Sequence, residues 1–133
     1  MDREIGRLLD AIDPVADNTV VVYSSDNGYS WGEHVLTGKR WAYDDNIKVP
    51  FIVRWPGKVK AGSVCDQLVQ QSDYIATFAE VLGTRLPDNA GEDSVSLMPL
   101  LKGGDQPVRD NAVSASIGGV PALRHGTWKY IPA

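Results

Sequence analysis

The residues best suited to chemistry are an aspartate and an asparagine that follow an apolar run. Asp26 and Asn27 come directly after residues 19–25, whose β-branched side chains predict a buried strand. Ligands of open α/β sheets bind outside the carboxyl ends of strands, and hard oxygen donors there suit Ca²⁺ or Mg²⁺. A local turn is the alternative, because Asn27-Gly28 is also a strong hairpin signal.

A second set of polar residues lies in the long loop after this strand. Lys39 and Arg40 follow a glycine, and two cations beside a flexible backbone can hold an oxyanion such as sulfate or phosphate. His34 in the same loop can donate a proton or bind an anion. The alternatives are a solvated basic turn and a hydrogen-bonded structural histidine. Two aromatic residues, Trp31 and Trp41, flank these polar groups.

Helix and strand patterns must position these groups. Apolar residues at positions 5, 8, 9 and 12 predict an amphipathic helix that ends before Pro14, and a strand follows at once. This order favours a parallel α/β sheet. Residues 49–55 predict a second strand with Pro50 at its beginning, and Ser72 predicts the N-cap of a helix that ends at Gly83. Three short apolar runs after residue 112 predict an antiparallel meander.

Composition excludes several classes of protein. The chain has 133 residues, 43% of them hydrophobic, which is enough for a globular domain with a core. A formal net charge of −4 and the lack of a basic stripe argue against nucleic-acid binding. No apolar run is long enough to span a membrane, and no signal peptide opens the chain. Cys65 is the single cysteine, so an internal disulfide is excluded.

The order and spacing of several segments carry more information than any one motif. The runs DNTVVVYSSDNG (17–28), GEHVLTGKR (32–40) and YDDNIKVPFIVRWPG (43–57) resemble the later part of the catalytic domain of type I sulfatases. These are the arylsulfatase-like members of the alkaline phosphatase superfamily. The first helix and the later runs QSDYIATF (71–78), SLMPLLKG (96–103) and LRHGTWKYI (123–131) are also similar, so the resemblance covers nearly the whole chain.

The resemblance implies roles for single residues. Asp26 and Asn27 look like two of the family's ligands for Ca²⁺, or in some members Mg²⁺, which also contacts the sulfate group. Lys39 looks like the lysine that binds the sulfate and stabilises its charge. His34 lies in a stretch typical of bacterial members and is expected to take part in catalysis and substrate binding. Arg40 is expected to bind substrate and support the loop.

The chain also departs from the family pattern. After Tyr43 the chain has Asp44-Asp45-Asn46-Ile47-Lys48, where many relatives have glutamate and glycines and then arginine before valine-proline, and Val35 replaces a frequent glycine. The family's nucleophile is a formylglycine made from Cys or Ser in a Cys/Ser-x-Pro-x-Arg motif, which Cys65-Asp66 does not fit. In the family this motif and a further aspartate pair lie upstream, so we expect the chain alone to be inactive.

The resemblance implies an incomplete α/β fold with an alkaline-phosphatase-like mixed or parallel sheet flanked by helices over residues 1–108. Residues 109–133 would begin a small C-terminal antiparallel subdomain. A full enzyme would hydrolyse a sulfate ester, either a small molecule or a sulfated carbohydrate, in the periplasm or after secretion. Exposed sheet edges predict self-association. A phosphatase or phosphodiesterase of the same superfamily and a non-catalytic binding or assembly module are the alternatives.

Overall fold

The computed structural model describes residues 1–132. Short helices and strands alternate along them, and two 3-10 turns cover Asp13–Asn18 and Glu33–Val35. The helices and strands, in chain order, are α1 (Asp2–Ile12), β1 (Val21–Ser24), β2 (Ser30–Trp31), β3 (Thr37–Gly38), α2 (Asp44–Ile47), β4 (Phe51–Arg54), α3 (Asp73–Val81), α4 (Met98–Leu101), β5 (Asn111–Ala115), β6 (Pro121–His125) and β7 (Trp128–Tyr130). The α/β class is confirmed, and no described helix is long and apolar enough to cross a membrane.

The two predicted strands form one sheet, but their expected parallel arrangement is wrong. β1 and β4 pair antiparallel, with Val21 opposite Arg54 and Ser24 opposite Phe51. A parallel pair needs a long crossover, usually a helix on the face of the sheet. The connection between β1 and β4 instead holds the β2–β3 hairpin and the four-residue helix α2. The chain therefore returns along β1, and residues 25–50 gather beyond the end of β1.

Helix α3 packs against this sheet. The Tyr74 ring stacks on Phe51 with centroids 5.3 Å apart, and its hydroxyl donates to Ser24 Oγ at 3.1 Å. The predicted cap is corrected in one respect, because the Ser72 side chain makes no capping hydrogen bond. The predicted stop is confirmed: Gly83 has φ +64°, the left-handed conformation typical of a residue that follows a helix.

A buried ion pair ties α3 to the start of the C-terminal sheet. The Arg109 side chain makes a bidentate contact with Asp73, with Nε donating to Oδ2 at 3.0 Å. Asp73 also accepts the backbone N–H groups of Gln70 and Val95, at 2.8 and 3.0 Å. Every oxygen of this buried carboxylate is therefore bonded, as a buried charge requires.

The C-terminal strands form the predicted meander. β5, β6 and β7 are ordered consecutively and pair antiparallel, and Gly126 makes the turn between the last two with φ +52°. This sheet contacts the loop after β1 at two places. The Ile117 N–H donates to the Arg40 carbonyl at 3.2 Å, and Lys129 Nζ donates to Asp44 Oδ1 at 2.6 Å.

Candidate functional site

Asp26 and Asn27 lie just beyond the carboxyl end of β1, as the sequence predicts. Asp26 is exposed, and its Oδ1 accepts the Asn27 N–H at 2.9 Å. The Ser25 hydroxyl donates to the Asn27 carbonyl at 2.8 Å. These local bonds fix the backbone of the segment that carries both predicted ligands. The carboxylate faces solvent with one oxygen free of protein hydrogen bonds among residues 1–132.

Lys39 reaches back to this turn. Its Nζ donates to Asn27 Oδ1 at 3.1 Å, across twelve residues of chain. The β2–β3 hairpin makes this contact possible, because it pairs Ser30 with Gly38 and so folds the loop onto its own beginning. The structure therefore brings together the predicted lysine and one of the two predicted metal ligands.

Position 28 requires a glycine because the backbone of α2 lies close to it, and not because the chain makes a hairpin turn there. Its φ is not positive, so Asn27-Gly28 does not form the tight turn that was the alternative prediction. The Gly28 N–H donates to the Asn46 carbonyl at 2.8 Å, and a Cβ at this position would lie 2.0 Å from the Asp45 carbonyl oxygen. A larger residue would push the start of the loop away from α2.

Asn46 is a positioning residue that the sequence analysis missed. Its side chain is buried, with Nδ2 donating to Ser30 Oγ at 2.6 Å and Oδ1 accepting the Trp41 N–H at 3.0 Å. The Asn46 carbonyl also accepts the Gly28 N–H, so this residue hydrogen bonds to both ends of the loop that carries Lys39. No local signal marked it, because it follows two solvated aspartates in a segment without periodicity.

His34 and Arg40 lie apart from the Asn27–Lys39 contact. The His34 ring stacks on Tyr43 with centroids 4.1 Å apart, and its Nε2 lies 3.9 Å from Asp45 Oδ2. Arg40 is exposed, and its carbonyl group accepts the Ile117 N–H. Within residues 1–132 neither side chain hydrogen bonds to Asp26, Asn27 or Lys39.

Two carboxylates around the loop are held in their charged form. Hydrogen bonds from the backbone N–H groups of Glu33 itself and of Trp31 lower the pKa of Glu33. The hydrogen bond from Lys129 lowers the pKa of Asp44. Both carboxylates therefore stay ionised to a lower pH than free Glu and Asp side chains do. Neither carboxylate belongs to a metal-binding cluster, since residues 1–132 contain no group of three or more His, Cys, Asp or Glu that could hold a metal ion.

Comparison with known proteins identifies the family. The model of the family described as "Sulfatase" matches residues 1–84. The chain belongs to the sulfatase family. It is 36% identical over 104 residues to the N-acetylglucosamine-6-O-sulfatase of Bacteroides thetaiotaomicron, an alignment that covers 77% of this chain. It is also 36% identical over 110 residues, or 82% of its length, to a Drosophila melanogaster protein named extracellular sulfatase SULF-1 homolog.

The fold agrees with the sulfatase assignment. A solved structure of a protein bound to its substrate, D-glucosamine-2-N,6-O-disulfate, aligns with 98% of this chain at a TM-score of 0.87 and 31% identity. The chain spans 28% of that structure, and 18% and 9% of the length of the two relatives. Sulfatases in general use a metal ion and a formylglycine residue, and the matched region holds only part of such a protein.

Proposed function

We propose that this chain is the later part of a sulfuric ester hydrolase and that Lys39 binds the sulfate group of its substrate. The contact between Lys39 Nζ and Asn27 Oδ1, at 3.1 Å, carries the proposal. It places a positive point charge beside the Asn27 carboxamide oxygen, where it would stabilise the charge of a reacting sulfate. The exposed position of Lys39 keeps it accessible to a ligand.

Asp26 and Asn27 are the residues that would hold Ca²⁺ or Mg²⁺ in the complete enzyme. Their carboxylate and carboxamide oxygens are the hard donors that these cations prefer. A carboxamide oxygen has two lone pairs, so Asn27 can accept the Lys39 N–H and still face a cation. Ca²⁺ takes six to eight oxygen ligands, so the remaining ligands would come from outside this chain. The bound cation would neutralise charge on the sulfate group.

The other assignments follow from this role. We propose that His34 and Arg40 act at the substrate only after the loop meets the rest of the enzyme, since both side chains lie on the loop surface. A formylglycine nucleophile would come from upstream, and Cys65, an exposed free thiol, is not its precursor. Sulfated carbohydrates are the proposed substrates, in line with the name of the Bacteroides relative. Residues 109–133 begin the small C-terminal subdomain, and a periplasmic or secreted enzyme is proposed.

Expression of the complete reading frame around this chain tests the proposal. We expect a Cys/Ser-x-Pro-x-Arg motif upstream and turnover of 4-nitrophenyl sulfate by the purified protein. Lys39→Ala should lower kcat/KM by about 10²–10³, the usual cost of removing one group that stabilises transition-state charge. Lys60→Ala is the matched control, because Lys60 is also exposed but lies away from the site.

The same assays distinguish the alternatives. Hydrolysis of 4-nitrophenyl phosphate but not of the sulfate would favour a phosphatase of the same superfamily. No hydrolysis of either ester, or of glucosamine 6-sulfate, by a metal-loaded full-length protein would favour a binding module. Turnover by the 133-residue chain alone would contradict the need for an upstream nucleophile.

A further inference from the structure

Two aromatic rings lie on the same hairpin as Lys39. Tyr29 and Trp31 have ring centroids 4.5 Å apart at an angle of 42°, and Trp31 is 80% exposed. The hairpin register pairs Trp31 with Thr37 and Ser30 with Gly38, so its continuation by one pair sets Tyr29 opposite Lys39. Side chains alternate between the faces of a strand, and the two rings therefore share the face of Lys39.

The interior face of this hairpin is already filled. Ser30, between the two rings in sequence, is fully buried and accepts a hydrogen bond from Asn46. Tyr29 and Trp31 consequently turn outwards, and within residues 1–132 they are 43% and 80% exposed, with their rings partly covering each other. Aromatic side chains are common in ligand and protein contacts, and these two lie on the hairpin that also carries Lys39.

Polar groups border the rings. The Glu33 carboxylate accepts the Trp31 backbone N–H, and Glu33 is exposed. The exposed Thr37 stands opposite Trp31 on the neighbouring strand. A sugar ring combines an apolar C–H face with hydroxyl groups around its edge. Aromatic faces rimmed by hydroxyl and carboxylate groups match both parts of such a ligand.

We propose that Tyr29 and Trp31 form a stacking platform for the sugar that carries the sulfate ester. The proposal rests on the proposed sulfatase function, because Lys39 defines where the sulfate group sits. The two rings contact each other, with centroids 4.5 Å apart and planes inclined at 42°, so together they form one angled aromatic surface. Tyr29, opposite Lys39, would contact the sulfated sugar, and Trp31 would contact its outer edge or the next sugar.

Steady-state kinetics of the intact enzyme test the platform. Trp31→Ala should raise KM for glucosamine 6-sulfate about fivefold with little change in kcat, whereas Trp31→Phe should keep most of the affinity. The inhibition constant of inorganic sulfate should stay within about twofold of wild type, since sulfate alone does not reach the rings. Trp128→Ala is the matched control, because Trp128 is also 80% exposed but lies on the C-terminal sheet.

The possible results distinguish failure of the platform proposal from failure of the sulfatase proposal. Equal KM values in Trp31→Ala and Trp128→Ala, with turnover intact, would overturn the platform and leave the sulfatase proposal standing. A parallel loss of sulfate inhibition would overturn it too, because the effect would then reach the Lys39 site itself. A larger KM change for phenyl sulfate than for the sugar sulfate would overturn the carbohydrate assignment. A wild-type enzyme that hydrolyses no sulfate ester would remove the sulfatase proposal and the platform together.

Discussion

Two polar clusters of this chain differ in how many of their donor and acceptor groups already have hydrogen-bond partners in the protein. The Asp73–Arg109 pair is closed, with side chains 0% and 8% exposed. All five guanidinium N–H groups of Arg109 are donated to protein acceptors. The Asp26–Asn27–Lys39 cluster is open, meaning that its charged groups are exposed and keep free hydrogen-bonding capacity. The Asp26 carboxylate accepts one hydrogen bond from Asn27, and the Lys39 ammonium donates one to Asn27.

The contrast separates structural charge from functional charge. A buried charge without partners is costly, so the chain must satisfy Asp73 and Arg109 internally, and nothing is left for a ligand. Exposed charges carry no such cost and keep capacity for a ligand. The open cluster is therefore where binding is expected, and the closed one is where loss of a partner should damage the fold.

The largest expected effect is on the closed cluster. Arg109→Met leaves the Asp73 carboxylate buried and unpaired, and the free energy of unfolding should fall by about 3–5 kcal/mol. Urea unfolding followed by circular dichroism measures the change. Arg85→Met is the control, because the Arg85–Asp88 pair is 91% and 96% exposed and should contribute no more than about 1 kcal/mol. Similar losses for both variants would break the distinction between the clusters.

Asn46 is a buried, hydrogen-bonded side chain within the loop that carries the open cluster, and its replacement tests whether it stabilises that loop. Asn46→Ala removes buried bonds to Ser30 and Trp41, and the free energy of unfolding should fall by about 2 kcal/mol. The Trp41 amide proton should also exchange faster with solvent. Asn89→Ala, at an exposed turn, should change neither quantity. An unchanged exchange rate at Trp41 would mean that Asn46 does not fasten the loop.

The sequence predicted individual helices and strands better than it predicted which residues and strands they contact. The amphipathic α1, the glycine stop of α3 and the C-terminal meander depend on local periodicity and turn residues, and all three were confirmed. The direction of the β1–β4 pairing was wrong, because strand pattern records burial and not orientation. Arg109 was not recognised, since its partner Asp73 lies 36 residues away and nothing local links them.

The candidate site shows the same limit. Asp26, Asn27 and Lys39 were predicted from residue type, order and resemblance, while the bond between Asn27 and Lys39 depends on a hairpin of two-residue strands. Strands that short have no readable period. Asn46 was noted only as a departure from the family pattern, because its role depends on hydrogen bonds with Trp41, Ser30 and Gly28 rather than on its immediate neighbours.

A smaller effect is expected where the C-terminal sheet contacts the open region. The Lys129 hydrogen bond lowers the pKa of Asp44, so the pair stabilises the fold above the ordinary aspartate pKa and loses this contribution as pH falls through the lowered value. Asp44 is 57% exposed, and the pair should contribute less than about 1 kcal/mol. Wild type should therefore unfold at a higher temperature than Asp44→Asn at pH 7, and this advantage should vanish once the pH falls below the lowered pKa of Asp44. An advantage independent of pH would exclude the ion pair as its cause.

The smallest effect concerns strain in the loop. Val35 has φ +61° and is 98% exposed, so a β-branched residue adopts a left-handed conformation without packing in return. Val35→Gly removes a strain of about 1–2 kcal/mol but adds unfolded-state entropy, and a net gain of about 0.5 kcal/mol is expected. Val64→Gly, at an 86% exposed position without positive φ, should instead lose stability. His34 has the same left-handed conformation as Val35. If Val35→Gly gains stability and sulfatase activity is unchanged, the strained backbone has no role in catalysis. If it gains stability and activity falls, the strained backbone positions the site.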